Sequence, residues 1–428
     1  MLRTVAIAIL GVALAVPAAP AQGRGRAAAS RSSHDTAIAG GESSSLEAAL
    51  QLFRQNRLAE ARPLLERAVK ERPQDSVAHA WLAETLRRLG DPEAAVREAR
   101  ASLDLHPDNN SFAHQVLGAA WNPMFSSWKG ANADSSWRHV VQATRCDPGD
   151  GNAWQGIVVG AMLRGQAPLL RKALQSLVDT GFLTPALLAY QRWVLRPLPP
   201  DAVLLTNGDL DTYPAWALQD VEHLRPDVAV VNLSLLNMPA YARLVRDWYH
   251  LPMLADAALD SLAPAKDKGG ATVWPSTRIV ADWVAGQRAG AFTRPIAVAA
   301  TVSPDRLPSD MNGHLRLAGG FWLCSPEAAP APEDTTMLRQ SLADVKTADL
   351  AGPVASPADR SPVRSLGARQ ILGCIPEASL RYGQALLKAG RKTEAAEAAR
   401  WTERFQAEVE TGIDLKKRIA ELKKQAGA

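Results

Sequence analysis

The densest group of chemistry-bearing side chains in the sequence is T-N-G-D-L-D-T, residues 206–212. Asn207, Asp209, Asp211 and Thr212 offer oxygen atoms within one short loop, and Gly208 permits a sharp turn between them. Asp209 and Asp211 are two positions apart, a pair of hard oxygen ligands of the kind that holds Mg²⁺, Mn²⁺ or Ca²⁺. The same residue types have a second use. Asp and Thr just before a helix cap its free amides, and Asn-Gly-Asp is ordinary turn chemistry. A divalent-cation or ligand loop and a helix cap are both open readings of this segment.

The flanking residues say where the loop must sit. A-V-L-L-T (202–206) reads as a short strand buried on both faces, and residues 214–224 as a helix with Pro214 in its first turn. R-P-D (225–227) ends that helix, and V-A-V-V-N-L (228–233) reads as a second buried strand. Strand, helix and strand in sequence make a βαβ unit with parallel strands and a right-handed crossover. The acidic loop then lies at the carboxyl end of the first strand, where open α/β sheets bind ligands. Asn232, Ser234 and Asn237 close the second strand beside it and would complete a polar pocket. Helices are expected at 239–249 and 276–288, and strands at 295–302 and 315–323, giving a small, mostly parallel sheet of about four strands. This α/β domain is expected over residues 196–324, entered through the stiff hinge R-P-L-P-P (196–200).

On its amino-terminal side the pattern is a repeat. Pro73 and Pro107 are 34 residues apart and each closes an apolar helix, which is the tetratricopeptide period. Ala49 pairs with Ala83, Leu52 with Leu86, Ala61 with Ala95, Ala68 with Ser102, and Asn56 with Gly90 at the inter-helix turn. A third unit closes at Pro148 after an insertion within 121–134, and a fourth runs from Trp154 through a turn at Gly165 toward Gly181. Tetratricopeptide-like hairpins are thus expected over 45–195. One more, with a capping helix at about 402–424, is expected within 367–428, after a linker at 325–366. The fold class read from the chain is α plus α/β.

Residues 1–21 have the form of a signal peptide: Arg3, an apolar run at 5–16, and Ala19-Pro20-Ala21 before Gln22. An apolar run of 12 residues is short of the roughly 20 that span a bilayer. No later segment is long and apolar enough to do so, so a mature chain with no transmembrane segment, periplasmic or secreted, is expected. Residues 22–44, rich in Gly, Ala, Ser and Arg, read as a flexible tether.

Other motifs are weak. S-S-W-K (126–129) holds an S-x-x-K but falls in the repeat insertion and lacks a K-T-G partner. There is no G-x-S-x-G, H-E-x-x-H, P-loop or C-x-x-C. His79, His106 and His114 lie on repeat helices or turns as surface or packing residues, and Trp121, Trp128, Trp137 and Trp154 either wedge between hairpins or line a groove. Cys146, Cys324 and Cys374 cannot build a disulfide framework, although one bridge, Cys324 to Cys374, is available. The formal charge is +4, with 48 basic and 44 acidic residues interleaved, a pattern that argues against nucleic acid.

Residues 198–237, LPPDAVLLTNGDLDTYPAWALQDVEHLRPDVAVVNLSLLN, resemble the soluble carboxyl-terminal region of large multi-spanning bacterial membrane proteins related to protein O-mannosyltransferases. The shared features are the T-N-G-D-x-D-T-[FY]-P run (206–214), R-P-D (225–227) and V-V-N-L-S-L-L-N (230–237), in order. R-P-I-A-V-A-A-T-V-S-P-D (294–305) and L-R-L-A-G-G-F-W-L (315–323) are similar more weakly. Those relatives place their sugar-transfer machinery in a membrane region that this sequence does not contain. The resemblance therefore implies an extracytoplasmic accessory domain associated with repeats, and carries over no catalytic residue. The sequence supports first a non-catalytic interaction scaffold with a protein or peptide partner on the repeat surface. Its alternative is glycan or sugar-phosphate binding or processing at the Asp209/Asp211 loop, with a divalent cation as the one cofactor suggested.

Overall fold

Small residues at matched positions let the first helices pair. In the computed structural model, which describes residues 45–122, 130–267, 269–327 and 333–427, four hairpins stack in order. They are α1 (Ser45–Arg54) with α2 (Leu58–Glu71), α3 (Ser76–Arg88) with α4 (Pro92–Leu105), α5 (Ser111–Trp121) with α6 (Ala131–Cys146), and α7 (Gly151–Leu163) with α8 (Ala167–Asp179). The signal peptide and tether expected at 1–44 and the S-x-x-K at 126–129 lie outside the described residues.

Ala49, Ala83, Ala61, Ala95, Ala68 and Ser102 are all within 1% of complete burial, so the 34-residue pairing marks where helix backbones touch. Asn56, Gly90 and Gly165 take positive φ (58°, 87° and 65°) at the inter-helix turns. Asp75, Asp91, Asn110 and Asp150 cap the helices that follow them through their side-chain oxygens. Trp137 and Trp154 are packing residues. Trp137 lies against Gly160, and Trp154 is buried with its indole N–H on the Pro148 carbonyl at 2.7 Å.

Helix α9 (Pro185–Leu195) leads into the sheet. Its elements are β1 (Val203–Thr206), α10 (Asp209–Val221), β2 (Ala229–Asn232), α11 (Pro239–Tyr249), α12 (Asp256–Asp260), β3 (Ala265–Lys266), β4 (Thr272–Val273), α13 (Pro275–Arg288), β5 (Ile296–Ala299), β6 (Leu315–Leu317) and β7 (Phe321–Cys324). The main sheet has the order β2-β1-β5-β7-β6. The first three strands are parallel, every residue of them buried, as apolar runs covered on both faces require. The other two pair antiparallel. The segment 315–323, expected as one strand, is a hairpin that reverses at Ala318, Gly319 and Gly320. Gly319 has φ 142°, and a Cβ there would lie 2.5 Å from the Ser341 hydroxyl, so only glycine makes this turn.

Helix α10 begins at Asp209, five residues before Pro214, which sits inside it. The expected start at Pro214 is thus too late, because the Asp211 side chain captures free amides and sets the helix end earlier.

The segment expected as a linker, 325–366, is instead largely folded. It contains α14 (Thr335–Ala343), α15 (Thr347–Leu350) and the start of α16 (Pro362–Leu372), and buries Leu338, Leu342, Leu350 and Val354. Its Pro/Ala composition hid scattered apolar anchors that join a core already formed by other elements. Helices α17 (Cys374–Lys388) and α18 (Lys392–Glu408) form the last hairpin, closed by α19 (Lys416–Ala426). The capping helix expected at 402–424 is broken where Gly412 takes φ 64°. Cys324 and Cys374 are both free and buried. One apolar core runs from α6 and α7 through the sheet into α17, so the later hairpins and the α/β unit bury their surfaces against each other.

Candidate functional site

The strand ends bring most of the expected loop residues together, then spend their polar atoms on one another. Thr206 and Thr212 share a hydroxyl contact of 2.7 Å, and the Asn232 amide donates to the Thr212 hydroxyl at 2.9 Å. Asn232 Oδ1 accepts the Leu235 amide, and the Ser234 hydroxyl donates to the Asn207 carbonyl, both at 2.9 Å. Asn237 donates to the carbonyls of Leu233 and Ser234 and accepts the Ser276 amide at 3.0 Å. Arg306, which the sequence reading missed, plugs the crevice. Its guanidinium donates to the Asn207 carbonyl and side chain at 3.0 and 2.6 Å and to Ser234 Oγ at 3.1 Å.

The two acids separate. Asp211 is 2% exposed and folds back: Oδ2 accepts the Asn207 amide at 2.8 Å and Oδ1 the Gly208 amide at 2.9 Å, while the Thr301 hydroxyl also donates to Oδ2. Burial raises its pKa above the ordinary carboxylate value, against the opposing pull of those donors. Asp209 faces the other way, receiving Gln155 Nε2 at 3.0 Å and the Arg364 guanidinium at 3.1 Å. The pair therefore forms no shared cation site, and among the described residues no cluster of three His, Cys, Asp or Glu is placed to hold a metal. Residues 206–212 with Gly208 form a helix-capping turn locked by side-chain to backbone bonds.

A second polar cluster lies where the first helices of the hairpins, α3, α5 and α7, run side by side and at the start of α7. Its residues are Arg88, Phe112, Gln115, Asp150 and Asn152, and a stretch of the chain from far downstream crosses them. Asn152 Nδ2 donates to the Ala358 carbonyl at 2.9 Å while its Oδ1 accepts the Arg360 amide at 3.1 Å, so one side chain reads the backbone in both directions. Arg88 donates to the Arg360 carbonyl at 3.1 Å. The Arg360 guanidinium sits over the Phe112 ring, 4.6 Å from its centroid, and donates to Asp150 Oδ2 at 3.0 Å and Gln115 Oε1 at 3.2 Å.

Each wall of this groove is held in place by its own helix. Asp150 caps α7 through Oδ1, which accepts the Asn152 amide and side chain at 3.0 Å, leaving Oδ2 for Arg360, Gln115 and Ser111. Burial pushes the Asp150 carboxyl up, but the Arg360 charge and the bonds from Asn152, Gln115 and Arg360 outweigh it and hold the pKa below the ordinary value. Arg88 is steadied by Glu84, which also binds Arg87. The sequence signal for this site was modest. Phe112, Gln115 and Asn152 occupy the inward face of the first helix in each hairpin, but nothing local announces that residues 358–360 lie across them.

Residues 52–119 match the tetratricopeptide repeat family, and residues 188–253 match TMEM260-associated domain 2. The second match runs from within α9 past α11 and contains the capping turn and the ends of the parallel strands β1 and β2. No curated protein matches the chain. Among solved structures, a thermophilic tetratricopeptide protein of Thermus thermophilus is similar at 19% identity, covering 48% of this chain and 95% of that one, with a TM-score of 0.30. The chain carries tetratricopeptide repeats joined to a mixed-sheet α/β unit.

Proposed function

We propose that this chain is an exported protein-interaction scaffold, working in the periplasm or outside the cell, with the α/β unit as its accessory domain. The observation that carries the reading is the groove along α3, α5 and α7. Its side chains already hold a peptide segment by main-chain hydrogen bonds, which is how a repeat groove engages a partner. Support for export is the leader pattern of residues 1–21, and no described helix is long and apolar enough to cross a membrane. The link to proteins related to O-mannosyltransferases rests on the motif residues 206–214 and 225–237, and supports reading the α/β unit as a shared accessory module. Interleaved charges, many of them in ion pairs such as Arg87 and Arg88 with Glu84, favour protein over nucleic acid as the partner.

The test is a crosslinked pull-down from an envelope fraction with the full chain as bait, beside amino-terminal sequencing of the exported product. A specific partner together with a mature end at Gln22 is the expected result. No partner after crosslinking, or an uncleaved product that stays inside the cell, overturns the reading.

A further inference from the structure

Residues 356–361 cross the groove as a strap. Ser356 to Asp359 turn, with the Asp359 amide on the Ser356 carbonyl at 3.0 Å, and Arg360 then enters the groove before Ser361 caps α16. The geometry points to a peptide site that selects arginine, occupied in cis by Arg360 and in trans by an arginine-bearing segment of a partner protein that follows the same backbone path. This deepens the scaffold reading and rests on it.

Three features define what fits. The Asn152 clamp and Arg88 bind main-chain atoms of residues 358 and 360, so they fix the path of the backbone as it leaves the 356–359 turn and are indifferent to sequence. The side-chain pocket does discriminate. Asp150, 4% exposed, supplies negative charge, Gln115 a second acceptor and Phe112 a flat apolar face. A planar guanidinium satisfies all three at once, whereas an ammonium cannot both stack and reach two acceptors. An empty pocket would leave the Asp150 charge buried without its cation, so the site favours some arginine at all times.

The replaceable part of the occupant is the Arg360 side chain, since the strap itself is anchored by Asp359, paired with Arg364 at 3.2 Å. The Arg360 side chain is 27% exposed, and a cavity of about 380 Å³ remains beside the strap, bordered by Glu84, Val116, Ala153 and Gly156 as well as by the strap. Pro357 and Ala358 face solvent. A competing segment therefore has room to enter before the resident one has left. Because the cis arginine is tethered, it lowers the apparent affinity of any trans ligand in proportion to its occupancy.

The experiment uses fluorescence anisotropy with a labelled synthetic peptide, ASPADRSPV, which copies residues 355–363. It is titrated with the wild-type full chain, with Arg360→Ala, and with Arg360→Ala/Asn152→Ala. Removing the Arg360 side chain takes away the cis competitor for the Asp150, Gln115 and Phe112 pocket and leaves the strap on the Asn152 clamp by main-chain bonds alone, and is expected to tighten peptide binding by about tenfold or more. Adding Asn152→Ala should remove that gain, and a peptide with Ala in place of the arginine should not bind. Arg360→Lys, which keeps the charge, serves as the second variant if Arg360→Ala melts below the assay temperature, and should bind the peptide more tightly than wild type. Equal binding of the arginine and alanine peptides, or no gain in either folded variant, overturns the proposal. If the peptide binds as expected but the pull-down yields nothing, the scaffold reading falls and the arginine site stands. If the pull-down succeeds and the peptide fails, the reverse holds.

Discussion

The carboxylate of Asp209 lies 3.1 Å from the guanidinium of Arg364, joining the first turn of α10 to the first turn of α16. Arg364 also pairs with Asp359 at 3.2 Å and stacks over Phe182, 5.1 Å from its centroid. One side chain therefore ties the groove strap, the end of the repeats and the helix that follows β1. Asp209 is a tether, while its neighbour Asp211 is a cap, and the two should respond differently to the same change. Asp209→Ala removes a partly exposed ion pair and should cost about 1 kcal/mol or less. Asp211→Ala leaves two amides and a hydroxyl without their acceptor in a buried place and should cost about 2–4 kcal/mol. Urea unfolding of both variants measures the contrast, and equal losses would refute it. Calorimetry with Mg²⁺, Mn²⁺ or Ca²⁺ should give flat traces for wild type and the double variant alike.

The hinge at 196–200 is fastened by Arg225. Its guanidinium donates to the carbonyls of Leu195, Arg196, Leu198 and Pro199 at 3.2, 3.1, 2.6 and 2.8 Å and pairs with Asp227. Arg225→Lys cannot reach all of these and should lose about 1–3 kcal/mol. The hydrogen bonds from Arg225 hold the Asp227 carboxyl down at about 2, so this contribution is complete above the ordinary carboxylate pKa and is lost as pH falls from about 4 toward 2. Thermal melts of wild type and Asp227→Asn across that window should converge at the acid end. Parallel curves would show that the pair does not govern this loss.

His114 and His139 face each other on α5 and α6 with their Nδ1 atoms 2.8 Å apart. One Nδ1 must donate and the other accept, so the two rings cannot both be protonated. Burial, with help from His139, pushes the His114 pKa down to about 4. An unfolded imidazole takes up its proton near 6.5, so stability is full above that pH and is lost between about 6.5 and 4. His114→Gln should flatten the fall in melting temperature over this range. An unchanged slope would exclude the pair as its source.

Close helix contacts in the third and fourth hairpins depend on glycine. A Cβ on Gly160 would lie 2.3 Å from the Trp137 ring, and one on Gly118 2.6 Å from Val140 Cγ2. Overpacking of about 1–3 kcal/mol should exceed the helix-propensity gain of about 1 kcal/mol, so both Gly→Ala changes should lower the midpoint of chemical unfolding. A raised midpoint in either would mean that the neighbouring side chain gives way freely.

Much of the architecture was legible along the chain because its causes are local and periodic. The 34-residue spacing of Pro73 and Pro107, the small residues between them and the two apolar runs around T-N-G-D-L-D-T each follow from the burial that one helix face or one strand needs. What Asp209 and Asp211 do was not legible, since a cap and a metal ligand need the same atoms, and only the direction of each carboxylate separates them. Asp211 is turned back by the nearby amides of Asn207 and Gly208 with Thr301 added from afar, whereas Asp209 is drawn the other way by Gln155 and Arg364, both distant in sequence. The groove and its occupant were decided by tertiary structure for the same reason. Asn152 meets residues 358 and 360 because packing of α16 against α9 and α10 carries the strap across the repeats, and no periodicity connects the two segments. Local sequence encodes which elements form; which polar groups become partners depends on chain ends brought together by burial elsewhere.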